Sequence, residues 1–283
     1  MKTILLLAHA DNGQASRLQA AIDVTRALHG HLSCLDVVSL TPMPNVFGGI
    51  TPMVAVAEAE RELVNREALT QRLCRENINW DYSEATGSLG ACLAARSGLA
   101  DLVVVSTSNS ASDTDVVGDM ALRCPCPILA VPHQTERMRL NGHALICWDG
   151  SCDACDALRA AVPLLTISSR VTLLAVGDGA NGLPVSEALA YLAHHRIHAT
   201  LEARPHMRAS VADTLLSETE RLLPDFLVMG AYGHGRLQEA IFGGATRAML
   251  RHSPAPLLLA HAARRTEFVA DGSSAGGKEV DVQ

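Results

Sequence analysis

Aromatic residues are scarce in this chain, at 3% of 283 residues, with 2 Trp, 3 Tyr and 4 Phe. A core without many large rings is filled by Ala, Val, Leu and Ile, which suits helices packed on a parallel sheet. Hydrophobic residues, at 48%, supply enough of them. An excess of positive charge is also missing. With 23 Lys and Arg against 30 Asp and Glu the net charge is −7, which argues against the clustered basic surface that nucleic-acid binding requires. No apolar run approaches the roughly 18 residues of a membrane span. The opening MKTILLLAHA has one Lys and a small-residue Ala8-His9-Ala10 stretch. Its apolar run, Ile4 to Ala8, is shorter than the roughly 7 to 15 residues of a secretory signal. A cytoplasmic protein is therefore expected, with its eight cysteines as reduced thiols.

What is present is a repeat. Ile4 to Asn12 (ILLLAHADN) matches Ala144 to Ser151 (ALICWDGS) at an offset of 140, and His31 to Val37 (HLSCLDV) matches Arg170 to Val176 (RVTLLAV) at 139. Asp101-Leu-Val-Val-Val matches Asp225-Phe-Leu-Val-Met at 124, and CPCPILA from Cys124 matches SPAPLLL from Ser253 at 129. Matches in one order predict two copies of one domain. Each change in offset locates an insertion. The N-terminal half has about fifteen extra residues after its second strand, around TPMPNVFGGIT (Thr41 to Thr51), and the C-terminal half has five between its fourth and fifth strands.

Within each half, short apolar runs alternate with helical patterns, the signature of βαβ units and a parallel sheet covered on both faces. The expected fold class is α/β, as two tandem open doubly wound parallel five-stranded sheets. Strands are predicted near 3–8, 32–38, 78–85, 101–106 and 127–131, and again near 143–148, 170–176, 196–203, 225–230 and 256–260. A long helix-like stretch covers Met53 to Glu76. The domains are expected at 1–135 and 140–262, with 263–283, ending DGSSAGGKEVDVQ, as a disordered tail.

The five-residue insertion lies in LVMGAYGHGRLQEAIFGGATRAML, Leu227 to Leu250. Here a strand leads into a loop with Gly230, Gly233, Gly235, Gly243 and Gly244, and then into a helix. In open α/β sheets ligands bind beyond the carboxyl ends of strands, and a helix N-terminus presents free N–H groups to an anion. Glycines let the backbone approach a phosphate closely. The loop lacks the Lys-Ser/Thr ending of a P-loop and the spacing of a dinucleotide-binding fingerprint.

Gly230-x2-Gly233-x9-Gly243 instead resembles the nucleotide-binding signature of the universal stress protein family, G-x2-G-x9-G-(S/T). Trp148 to Ser151 (WDGS) is similar to that family's first strand end, and SPAPLLLAH to its final strand. The resemblance implies an adenine nucleotide alpha hydrolase-like fold. It also implies ATP, AMP or ADP as ligand, with Mg2+ an open addition. Asp149 would lie near the adenine or ribose, with Val176 and Val211 as further contacts. Gly230, Gly233, Gly243 and Thr246 would surround the phosphates. From its position inside the loop beside Arg236, His234 is a further candidate to meet phosphate oxygens, with a solvated surface role open for both, and the Gly244 amide is another. The sequence departs from the signature at Gly244, where Ser or Thr is expected. A missing hydroxyl on a charged phosphate costs roughly 1.5 to 3 kcal/mol, about ten- to a hundredfold in affinity. Thr246 or the Gly244 amide is left to compensate.

The equivalent N-terminal stretch, STSNSASDTDVVGD (Ser106 to Asp119), is five residues shorter, has only Gly118, and carries Asp113, Asp115 and Asp119. Its carboxylates would repel a triphosphate unless a metal ion intervened. His9 or Asp11 stands where the other half has Asp149. At most one nucleotide per chain is expected, in the C-terminal half.

Other constellations point elsewhere. Cys152-Asp-Ala-Cys155 opens a predicted helix, whose dipole favours thiolate, but it supplies only two of a zinc site's four ligands, with Cys147 a third candidate. His194, His195 and His198 cluster at a helix end, where basic residues complement the dipole. No base and cationic clamp for a dedicated hydrolase is visible, though a slow ATPase stays open. Three classes follow: a nucleotide-responsive stress protein, an interaction protein on the same fold using the N-terminal long loop, or a thiol redox or metal protein. The two halves are expected to pair as an intramolecular pseudo-dimer, with a homodimer open.

Overall fold

The computed structural model describes residues 1–38, 52–107, 117, 118, 120, 123–177, 182–204, 210–231 and 244–261, with 52–62 described by backbone alone. The N-terminal half runs β1 (Thr3–Leu7), α1 (Gln14–Ala27), β2 (His31–Val38), α2 (Pro52–Leu73), β3 (Asn79–Thr86), α3 (Leu89–Arg96), β4 (Leu102–Ser106) and β5 (Ile128–Val131). The C-terminal half runs β6 (His143–Trp148), α4 (Cys152–Leu165), β7 (Arg170–Val176), α5 (Val185–His194), β8 (Ala199–Arg204), α6 (Val211–Leu222), β9 (Phe226–Gly230), α7 (Gly244–His252) and β10 (Leu257–Ala260).

Central strands are continuous apolar runs because helices cover both faces; β6 is buried at every residue. One core lies under α1, α2, α4 and α5, through residues such as Ile22, Leu69, Leu158 and Leu192. The other lies under α3, α6 and α7, through Leu93, Leu215 and Met249. The outermost strands, β3 and β8, are partly exposed.

The two five-stranded units are not separate sheets. The strands form one sheet in the order β3-β2-β1-β4-β5-β10-β9-β6-β7-β8. Every neighbouring pair is parallel except β5 and β10, which pair antiparallel, with Leu257, Leu258 and Leu259 opposite Ala130, Leu129 and Ile128. Each of these short strands is wholly buried and would otherwise leave a row of unpaired N–H and C=O groups. The connector between the halves packs against the core through Met138 and Leu140, and the Met138 N–H donates to Asp23 at 3.0 Å.

The repeat holds in strand register. Ile4 pairs with Leu102 as Ala144 pairs with Phe226, and Ser106 pairs with Val131 as Gly230 pairs with Ala260. The amino edge is tied similarly in both halves. Asp101 accepts the N–H groups of Lys2 and Thr3 at 2.5 and 2.9 Å, and Asp225 accepts that of His143 at 2.7 Å.

Candidate functional site

The carboxyl edge of the C-terminal half gathers the ends of β6, β7, β9 and β10. Beyond β6, the Asp149 carboxylate accepts the Ser151 N–H at 2.9 Å, closing a turn in which Gly150 has φ +77°. Ser151 then caps α4, its hydroxyl accepting the Ala154 N–H at 3.1 Å. Asp149 is thus held exposed at the sheet edge. The Gly150 carbonyl accepts the Leu183 N–H at 2.8 Å, so this turn is joined to the segment leading into α5.

Trp148 pairs with Ala175, which puts Val176 level with Asp149 on the adjacent strand. Val176 is half-buried and packs on the second core. Val211, 39% exposed, is the first residue of α6, which is capped by Ser210. Leu183 is also an exposed apolar side chain, at 46%.

Gly230 ends β9 against the first turn of α4. A Cβ at this position would lie 2.8 Å from the Ala154 nitrogen and 2.9 Å from the Asp153 Cβ, so the close approach depends on glycine. Asp153, the acid in that first turn, lies 3.5 Å from the His261 imidazole. The α4 N-terminus is therefore already provided with a cap and a carboxylate. The first turn of α7 has no acidic residue. It opens with Gly244, which is exposed and where an added Cβ would meet no heavy atom within 4 Å. Thr246, two residues on, is buried at 3% exposure. The sequence-predicted residues Gly233, His234 and Gly243 lie outside the described residues.

The matching edge of the N-terminal half is built differently. Its fourth strand ends in Ser106, the register equivalent of Gly230, and Gly13 stands where Asp153 stands. The close approach is retained with the side chain moved from helix to strand; a Cβ on Gly13 would lie 2.6 Å from that of Ser106. Asp11 accepts the Gly13 N–H at 2.8 Å, making the turn that Asp149 makes in the other half, while His9 is the residue at the 140 offset.

Across this edge lies Arg17, only 1% exposed. Its Nε donates to the Leu7 carbonyl at 2.6 Å. Nη1 donates to both Asp11 oxygens at 2.7 and 2.8 Å and to the Ser106 hydroxyl at 2.9 Å, and Nη2 donates to the His9 carbonyl. The guanidinium fills the crevice between the ends of β1 and β4. The equivalent residue in the C-terminal half is Ala157, equally buried but ending at Cβ. Sequence reasoning missed both Arg17 and His261. A single Arg near the start of an amphipathic helix carries no signal of its backbone partners.

The CxxC residues separate in environment. Cys152 is exposed and Cys155 half-buried, and both are free thiols. Burial, partly opposed by Arg159, raises the Cys155 pKa, contrary to the thiolate expected from the helix dipole. Among the described residues no group of three or more His, Cys, Asp or Glu side chains is placed to hold a metal ion.

These features define a doubly wound α/β protein with the end of β9 and the start of α7 at the carboxyl edge of one half. Residues 141–261, in the C-terminal half, match the model of the universal stress protein family. The match spans somewhat under half of the chain. Solved structures extend the likeness in fold to both halves. A universal stress protein from Archaeoglobus fulgidus superposes with a TM-score of 0.75 at 15% identity, over 91% of this chain and 96% of its own. A Pseudomonas aeruginosa protein assigned to the same family gives 0.58 at 16% identity, over 92% and 93%. No curated protein is matched by the sequence.

Proposed function

We propose that the C-terminal half binds one adenine nucleotide, ATP or its relatives AMP and ADP, and that the chain is a cytoplasmic stress-response protein switched by that ligand rather than a dedicated enzyme. The observation that carries this reading is the contrast between the two carboxyl edges. One is crossed by the Arg17 guanidinium, which donates to the Ser106 hydroxyl; the other has Ala157 in the place of Arg17. The family match over 141–261 supports the same half.

In this reading Asp149 accepts hydrogen bonds from ribose or base, with Val176 and Val211 offering apolar contacts. The phosphates lie toward Gly230, Gly233, His234, Gly243, Gly244 and Thr246. They are drawn to α7 rather than α4, because the α4 N-terminus already carries Asp153. Mg2+ would screen phosphate charge near Asp149 and Asp153. The N-terminal unit, 1–135, serves as a partner domain for 140–262, joined to it through β5 and β10, with 263–283 as a tail.

Equilibrium binding tests the reading. Saturable ATP binding that Gly233→Val abolishes is the expected result, and absence of binding at millimolar ATP overturns it.

A further inference from the structure

A cavity of about 510 Å3 lies between the two halves, within the size range of small-molecule sites. The antiparallel β5–β10 pairing creates it by bringing the carboxyl end of β5 beside the segment that precedes β10. Its walls include Thr107, His133 and Gln134 from the N-terminal half and Arg251 and His252 from the C-terminal end of α7. Three of its lining side chains can carry positive charge and none is acidic, although the chain as a whole has net charge −7.

Arg251 is exposed, and among the described residues it makes no ion pair, so its guanidinium is available to a ligand. A crevice formed only by the meeting of two acidic halves would not be expected to collect donors and exclude acids. Basic residues at a helix C-terminus also complement its dipole, but that effect does not place His133 and Gln134, which follow β5, on the opposite wall.

We infer that this inter-half cavity binds a small phosphorylated metabolite. Arg251 grips phosphate oxygens through its planar fork, and His133, His252 and Gln134 add N–H donors. Pro132 and Pro254 supply apolar wall for the organic part. The site is separate from the proposed nucleotide loop. Arg251 and His252 close α7, whereas Gly244 opens it, about 11 Å away along the helix.

Calorimetric titration of the full chain with inorganic pyrophosphate tests this inference. Saturable binding is expected, weakened about ten- to a hundredfold by Arg251→Ala and retained in Gly233→Val. An unchanged melting temperature in Arg251→Ala would show that the exposed substitution leaves the fold intact. The inference is overturned if pyrophosphate does not bind, if Arg251→Ala binds as tightly as the parent, or if Gly233→Val removes the binding. The last result would place the anion at the glycine loop. ATP binding, measured separately, stands or falls independently.

Discussion

The Arg17 guanidinium donates to the Ser106 hydroxyl at 2.9 Å, joining the first turn of α1 to the end of β4. The same group holds the Asp11 carboxylate and the Leu7 and His9 carbonyls. Removing it would leave several buried acceptors without their donor. Arg17→Ala is expected to destabilise the protein by about 3 kcal/mol, the low end for breaking a buried pair, because Asp11 is 38% exposed. Denaturant unfolding checks this. Arg17→Lys should recover only part of the loss, since one ammonium cannot reproduce the fork.

Two glycines of the C-terminal half should respond oppositely to a side chain. At Gly230 an added Cβ meets the α4 backbone nitrogen at 2.8 Å, so Gly230→Ala should cost about 1–3 kcal/mol through overpacking and weaken nucleotide binding. At Gly244 the space is open. Gly244→Ser would restore the missing hydroxyl and should tighten ATP about ten- to a hundredfold. Paired denaturation and ATP titrations on both variants give the comparison.

His143 provides a pH dependence at the amino edge. Burial, and next the neighbouring Arg170 charge, lower its pKa from the ordinary 6.5. Arg170 donates to Nδ1 at 2.6 Å and Nε2 lies 2.9 Å from the Thr172 hydroxyl, a geometry made for neutral imidazole. The unfolded chain therefore takes up this proton at higher pH than the folded one. Stability from this group is full above about pH 6.5 and falls as pH drops from there through the folded value. Unfolding free energies between pH 8 and about pH 5 should show the decline, and His143→Gln should flatten it.

Much of the fold was legible because it depends on local patterns. Buried-strand runs such as Ile4 to Ala8 and Ala144 to Trp148 located the strands, and the drift in repeat offset located the insertions, in agreement with the strand registers. Fusion into a single ten-stranded sheet was less legible, since the apolar runs of β5 and β10 reveal exposed edges without naming the strand that covers each.

At the site, Asp149 and Gly230 could be read from strand-end position and spacing. Arg17 could not, because three of its partners lie within ten residues but face it only once β1 and α1 have packed, and Ser106 arrives from 89 residues away. The Asp11 turn was legible only as one of two alternatives, because His9 sits at the 140 offset and Asp11 is displaced two residues from the Asp149 position.

The number of ATP molecules bound per chain, measured by equilibrium dialysis at saturating ATP with photo-crosslinked peptides to locate them, tests the central claim most directly. One ATP per chain, crosslinked within residues 141–261 and lost in Gly233→Val, is predicted. Two per chain, a crosslink in the N-terminal half, or no binding at millimolar ATP would contradict it.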